Sequence, residues 1–449
     1  MNLKPYPHNR PSGVQWLGNI PTSWDVWKIA HAFRTIGTGT TPPSNDAEWY
    51  GDGTPWVTTG ELREEVIQET VLSVSPAALA KFSELQTYAP GTLLVAMYGT
   101  TIGRVAILGV PACVNQACCA LGDSDIFHVP LVSYWFQAFR EQMVQLSTGG
   151  GQPNINQETI CSLRLPVPPI SEQFIITAFL DRETAKIDSL IAKHEKLIEL
   201  VQEKRQAVIA HAVIRGLDSS VARKASGVEW LPDVPVDWNV SQIGSLCEFV
   251  SYGFTTPMPT TDDGPYLLTA NDVGYGEIRY ETARRTSLGA YGTLLTPRSK
   301  PIKGDILLTK DGTLGRVAMH DGREACINQS IAILRLNKNL VLPAFIAIAL
   351  ECKAYQDRMN YEAGGTTIRH IYVSRLSRMS FAYPSLPEQE KIINFLENRL
   401  TVFNTIIAKA QLAIGLQKEH RSALICAAVT GKIDLRATSD QDAYEARAA

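Results

Sequence analysis

Two hydrophobic rhythms alternate along the chain. Up to about residue 170, and again from about 218 to 386, apolar runs are short and broken by glycine and proline. Thr92-Leu93-Leu94-Val95-Ala96 and Asp305-Ile306-Leu307-Leu308-Thr309 read as strands, and Gly99, Gly103, Gly312 and Gly315 read as the turns beside them. Helices are expected to begin at Pro130 and Pro343, where proline suits the first turn. After Pro166-Val167-Pro168-Pro169, and after Pro384 and Pro387, the period lengthens. Ile187, His194, Val201 and Val208 recur every seventh residue with Leu190 and Leu197 between them. Phe403, Ala410, Gln417 and Leu424 do the same with Ile406 and Ala413. That spacing predicts two long helices with a coiled-coil seam, each ending at a glycine, Gly216 and Gly431.

The two halves are copies of one plan. Ser12-Gly13-Val14-Gln15-Trp16-Leu17, with Pro21 and Trp24, returns 214 residues later as Ser226-Gly227-Val228-Glu229-Trp230-Leu231, Pro235 and Trp238. Gly103-Arg104-Val105-Ala106 returns as Gly315-Arg316-Val317-Ala318, and Cys113-Val114-Asn115-Gln116 as Cys326-Ile327-Asn328-Gln329. Pro168 and Glu172-Gln173 return as Pro384 and Glu388-Gln389. The offset drifts by only a few residues over the whole length, which marks a tandem duplication. One helix per half, each with an apolar face, is most simply satisfied by an antiparallel pair. The expected fold is therefore mixed α/β (α+β). It has two globular domains in pseudo-two-fold tandem repeat, separated by two long helices forming an antiparallel coiled coil. The expected boundaries are 1–170 and 218–386 for the globular parts, 171–217 and 387–436 for the helices, and 437–449 for a loose tail.

Composition narrows the chemistry. The formal net charge is −3, so the chain is no polycation and any nucleic-acid contact must come from local basic loops. The eight cysteines are scattered without a Cys-x-x-Cys pair, and buried reduced thiols are the expected state. The first residues lack the apolar core of a signal peptide and no apolar run is long enough to span a bilayer. A cytoplasmic protein is the expectation.

The Ser-Gly-Val-x-Trp-Leu-Gly-x-Ile-Pro-x-x-Trp opening from Ser12 to Trp24, Gln152-Pro153-Asn154-Ile155-Asn156, and Pro168-Pro169 with Glu172-Gln173 before a long helix resemble the specificity subunits of type I restriction-modification systems. The resemblance covers roughly residues 12 to 436. It implies that each globular part is a target-recognition domain reading one half of a bipartite double-stranded DNA target. It also implies that the helices set the spacing and dock two modification subunits, which methylate adenine N6. Restriction subunits complete such complexes. The resemblance implies no cofactor for this chain, with S-adenosylmethionine, ATP and Mg expected in the partners. The second half departs from the pattern, carrying Ile368-Arg369-His370-Ile371 where the first has Gln152-Pro153-Asn154-Ile155.

Reading split DNA requires donors and acceptors on loops that reach a groove or a phosphate. Thr40 and Thr41, and Thr255 and Thr256, occupy matching places as phosphate contacts or as turn formers. Tyr98, Thr101 and Arg104 match Lys310, Thr313 and Arg316; each arginine either meets phosphate or guanine, or pairs with a local carboxylate. The repeated Asn115-Gln116 and Asn328-Gln329 lie among apolar neighbours that favour a structural role. Base readers are expected among unrepeated residues: Arg63, Gln152, Asn154, Asn271, Arg369 and His370. The catalytic search is empty. No Asn/Asp-Pro-Pro-Tyr segment or phosphate-binding glycine loop occurs, and Asp305 with Lys310 lacks the second carboxylate of a nuclease. His194 and His211 fall on the first long helix, where a satisfied interhelical role is expected. A self-contained duplicated methyltransferase or nuclease, and a purely protein-binding scaffold, are the competing readings.

Overall fold

A computed structural model describes residues 4–147, 153–364 and 369–437; Gln152 and most of the expected tail lie outside them. The chain forms two compact units, one from Met1–His194 with Leu412–Ala449, the other from Glu195–Gln411. The units do not follow the sequence blocks, because each long helix is divided between them.

In the first unit, antiparallel strands β1 (Leu93–Ala96) and β2 (Val105–Leu108) form a hairpin. They lie within a five-stranded sheet whose other members are Thr35–Gly37, Cys118–Gly122 and Val66–Ile67. The second unit repeats the hairpin as β3 (Ile306–Thr309) and β4 (Val317–Met319), in a sheet with Cys247–Tyr252 and Ile331–Leu336. All four residues of β1 and of β3 are buried, because a helix covers one sheet face and a second small sheet the other. Such strands read as continuous apolar runs rather than as alternation. In that second sheet Tyr50–Val57 pairs in parallel with Cys113–Val114, and Thr261–Leu268 pairs in parallel with Ala325–Ile327. The covering helices are Val129–Ala138 and Pro343–Leu350, with Pro130 and Pro343 in their first turns.

Helix α1 (Ile170–Arg215) and helix α2 (Leu386–Val429) are the two long helices. At 1.5 Å per residue, the 46 residues of α1 extend roughly 70 Å. Within the first unit the helices run antiparallel. Ile176, Phe179 and Leu180 share a core with Ile425, Ala428 and Val429, and Arg421 Nε donates to Asp188 Oδ1 at 2.9 Å. Within the second unit, Ile209, Val213 and Ile214 share a core with Ile392 and Leu396.

On α1 the seam differs from the expected one. Leu190 and Leu197 are 42% and 40% exposed, whereas Ile191 and Ile198 are half-buried. The shielded stripe on α1 runs Ile187, Ile191, His194, Ile198, Val201, Arg205 and Val208. Its counterpart on α2 runs Phe403, Ile407, Ala410, Ile414, Gln417, Arg421 and Leu424. The period of seven holds; on α1 the intervening position lies four residues after each anchor, not three, whereas on α2 the expected Ile406 and Ala413 are half-buried alongside Ile407 and Ile414, and both spacings put side chains on one face. His211 is exposed, which removes it from the expected interhelical set.

Each helix start is clamped to its globular part by the repeated Glu-Gln pair. Trp24 Nε1 donates to Glu172 at 3.0 Å, and Trp238 Nε1 to Glu388 at 3.1 Å. Gln173 accepts from the His128 amide at 2.7 Å and donates to the carbonyls of Ile126 and Pro168, both at 2.9 Å. Gln389 does the same with the Leu342 amide and the carbonyls of Leu340 and Pro384. The helix ends return onto the same tryptophans. Gly216 and Gly431 stop the helices in the left-handed conformation, at φ of 75° and 68°. Gly216 faces Pro235 and Trp238, and Gly431 faces Pro21 and Trp24. Each unit is thus seated between the start of one helix and the end of the other.

Candidate nucleic-acid interface

The loops joining the hairpin strands, together with three neighbouring segments, make one ridge in each unit. In the first, Gly99 N donates to Pro153 O and Ile155 N to Met97 O, both at 2.9 Å, so the segment carrying Asn154 runs along the hairpin loop. Met97 N donates to Ala117 O at 2.8 Å, which adds the Asn115-Gln116 turn, and Thr41 Oγ1 donates to Gln116 Oε1, which adds the Thr40-Thr41 loop. Thr41, Tyr98, Gln116 and Asn154 are all exposed. In the second unit, Gly312 N donates to Arg369 O and Ile371 N to Lys310 O, both at 3.0 Å. Lys310 N donates to Ser330 O at 2.8 Å, and Gln329 N to Phe254 O at 2.9 Å, beside exposed Thr255 and Thr256. Segments far apart in sequence therefore meet in the same order in both units.

Glycine makes this close packing possible. A Cβ on Gly39 would lie 1.7 Å from Val114 O, and one on Gly253 would lie 1.8 Å from Ile327 O. Only a hydrogen fits where the Thr40 and Thr255 loops cross those strands.

The side chains on the ridges differ. In the first unit the exposed groups are neutral: hydroxyls of Thr41 and Tyr98, and amides of Gln116 and Asn154. In the second, Asp311 lies between the imidazole of His370, which it contacts through Nδ1, and Lys310 Nζ at 3.2 Å. The Lys310 ammonium also lies 5.3 Å from the ring centre of exposed Tyr252. Lys310 itself is only 5% exposed, so its charge supports Asp311 and Tyr252 more than it reaches outward.

The expected residues divide accordingly. Thr41, Tyr98 and Asn154 come together, with Thr101 adjacent through a hydroxyl bond to Tyr98 O at 2.7 Å. Lys310, Arg369 and His370 also come together, and Thr313 is exposed in the same hairpin loop. Asn271 is exposed beside the ridge, its neighbour Ala270 donating its amide to Ser330 Oγ at 3.0 Å. Thr40 contributes its carbonyl to Trp56 Nε1 at 3.2 Å, a structural bond. Arg104 and Arg316 are half-buried at the foot of the hairpins, and Arg104 Nε is enclosed without a partner among the described residues. Arg63 is exposed but reaches back towards Gly60 O, away from the ridge contacts.

Asn115 and Asn328 do serve structure, their side chains accepting from the amides of Ala117 and Ser330, both at 3.2 Å. Their partners Gln116 and Gln329 are exposed on the ridge. Sequence reasoning also passed over Arg140, which holds the first hairpin loop through the carbonyls of Ile102 and Thr100 at 3.1 and 2.9 Å. Its counterpart Gln356 donates to Gly315 O at 2.7 Å. The buried pair Met143 and Met359, three residues after each, could have revealed that match.

Asp305 and Lys310 bond to different partners, Arg335 and Asp311. Asp305 is a structural carboxylate, bound by Arg335 at 2.9 and 2.8 Å and accepting from Ile302 N at 2.8 Å. It precedes β3 while Lys310 follows it, a separation of roughly 16 Å at 3.3 Å per residue. Burial pushes the Cys119 and Cys326 thiols up to about 12, which suits inert core positions. No group of histidine, cysteine or carboxylate side chains among the described residues could hold a metal. None of the described helices is long and apolar enough to cross a membrane.

Comparison with known proteins agrees with the duplication. The family described as type I restriction modification DNA specificity domain matches residues 21–200 and again 235–414. The chain is 23% identical to the type I restriction enzyme EcoBI specificity subunit of Escherichia coli, covering 77% of this chain and 74% of that one. It is 22% identical to the EcoKI specificity subunit of Escherichia coli K12, covering 93% and 90%. A solved structure described as the basis of complex assembly and conformational transition of the type I R-M system superposes with a TM-score of 0.71 at 13% identity. That match covers 92% of this chain and 99% of the other. With the matched regions spanning most of its length, the chain belongs to the type I restriction-modification specificity family and carries the family's DNA specificity domain twice.

Proposed function

We propose that this chain selects the DNA sequence for a type I restriction-modification complex and performs no catalysis itself. Each loop ridge reads one half of a bipartite double-stranded target. The observation that carries this reading is the pair of ridges, built on one backbone frame but presenting different side chains: neutral amides and hydroxyls in the first unit, Asp311, Arg369 and His370 in the second. A shared frame suits contacts to the regular duplex backbone, and different side chains suit different bases. Long helices α1 and α2 set the distance between half-sites and dock two modification subunits. Those subunits supply S-adenosylmethionine chemistry at adenine N6, and restriction subunits supply ATP- and Mg-dependent translocation and cleavage, in the cytoplasm.

The test is to map N6-methyladenine across the native genome with and without this gene. One bipartite motif should vanish on deletion and return on complementation. Methylation by the purified chain alone would contradict the reading.

A further inference from the structure

The stretch that follows the paired loop carries opposite charge in the two units. Residues 153–162 read Pro-Asn-Ile-Asn-Gln-Glu-Thr-Ile-Cys-Ser, and 369–378 read Arg-His-Ile-Tyr-Val-Ser-Arg-Leu-Ser-Arg. The structure fixes their correspondence. Ile155 and Ile371 are the buried residues that bond to the hairpins, and Ile160 and Leu376 are the buried residues of the short helices Gln157–Ser162 and Val373–Arg378. The first stretch holds one carboxylate, Glu158, and no cation. The second holds Arg369, Arg375 and Arg378 with no carboxylate, and all three arginines are exposed.

Local partners meet these charges only in part. Arg369 donates to the Asn360 amide oxygen at 2.9 Å, a neutral partner. Arg375 donates to the Glu362 carbonyl at 2.9 Å and stands 3.9 Å from its carboxylate, which is already bonded to Arg358. Arg378 has no hydrogen-bond or ion-pair partner among the described residues. Exposed Tyr372 lies among them, packed edge-on to His370 at 4.5 Å between ring centres. The patch is continuous with the ridge through Gly312 N to Arg369 O and the His370–Asp311 contact. Planar guanidinium groups on a surface adjoining base-reading loops match phosphate oxygens in shape and charge.

We propose that residues 369–378 form a phosphate-backbone clamp belonging to the second recognition unit alone. The second half-site is then gripped by charge, and the first by neutral contacts. This inference rests on the recognition reading above. DNA is favoured over an acidic protein partner because the patch begins on the ridge itself.

The experiment uses the complex of this chain with its modification subunits and a labelled duplex bearing the methylated motif. Affinity is measured against salt concentration. Each phosphate contact contributes about 0.9 to the log–log slope for B-form DNA. Arg375→Gln/Arg378→Gln, which leaves the ridge residue Arg369 in place, should therefore lower the slope by up to about 1.8, with the methylated motif unchanged. The double lysine variant should retain most of the slope. Placing Thr159→Arg and Ser162→Arg in the first unit should steepen it. An unchanged slope in the glutamine variant, with binding intact, overturns the clamp. So does lost assembly with the modification subunits at unchanged slope, which would mark a protein-docking patch. If the wild-type complex shows no sequence-specific binding, the recognition reading fails and the clamp with it.

Discussion

At Gly39 and Gly253 the difference between a hydrogen and a methyl group decides whether the ridge can form. Alanine at either position would drive Cβ to within 2 Å of a strand carbonyl, Val114 O or Ile327 O. Neither oxygen belongs to a flexible side chain that could swing away, so the backbone must move. Overpacking of this kind costs roughly 1–3 kcal/mol. Gly39→Ala and Gly253→Ala should each lower the melting temperature by several degrees, at about 2–4 °C per kcal/mol for a unit of this size. Each should also weaken DNA binding by displacing Thr41 or Thr255; an alanine variant that melts with the wild type would refute the crossing. Single residues were only partly legible in the sequence. The duplicated Asn-Gln pairs could be found by repetition, but not that Asn115 folds inward to its own turn while Gln116 faces out. That division depends on a bond to Ala117 N and on Thr41, which lies far away in sequence. Arg104 shows the converse: its type suggested a surface contact, yet the hairpin draws its Nε into an enclosed place.

Elements were more legible than residues, because periodicity and punctuation are local. The buried strands β1 and β3, the prolines opening the covering helices and the glycines ending α1 and α2 all followed from short stretches of sequence. The seam did not. Leu190 and Ile191 are both apolar, and only packing chooses between them. The Glu-Gln pair was visible as a repeat, but its work became clear only with the fold, since most of its partners lie some 45 to 150 residues away. Gln173→Ala would remove three hydrogen bonds and strand the His128 amide and two carbonyls. Each unsatisfied buried group costs about 1–3 kcal/mol, so a loss of roughly 2–4 kcal/mol is expected after partial relaxation. Gln389→Ala should behave alike. Glu172→Gln should be milder, because its amide oxygen can still accept from Trp24 Nε1. Denaturant midpoints distinguish these cases, and a Gln173→Ala loss below that of Glu172→Gln would mean that the pair is not the clamp.

At the scale of the whole molecule, duplication was the legible feature, since offsets between matching residues survive any uncertainty about local structure. What no offset revealed is that each unit draws on the start of one long helix and the end of the other. That division suits the helices' proposed role as a ruler, because each helix is anchored at its start by one tryptophan and at its end by the other. The shielded stripe, Ile187 to Val208 on α1 and Phe403 to Leu424 on α2, repeats every seven residues. Inserting seven residues therefore keeps the stripe on its face, whereas inserting four would turn it away. The matching points are Lys196 on α1 and Leu412 on α2, both exposed and separated by the helices' constant offset. One heptad at each would lengthen the pair by about 10 Å. Since each base pair rises about 3.4 Å, the gap between half-sites should grow by about three base pairs. Three base pairs also turn the duplex by about a third of its 10–10.5 base-pair repeat, so the far half-site faces a new direction and methylation should slow. The bases within each half-site should not change, because neither ridge is touched. Methylome sequencing of a strain carrying the double insertion reads both quantities at once. A motif with its original gap, methylated at the original level, would show that the helices do not measure the target.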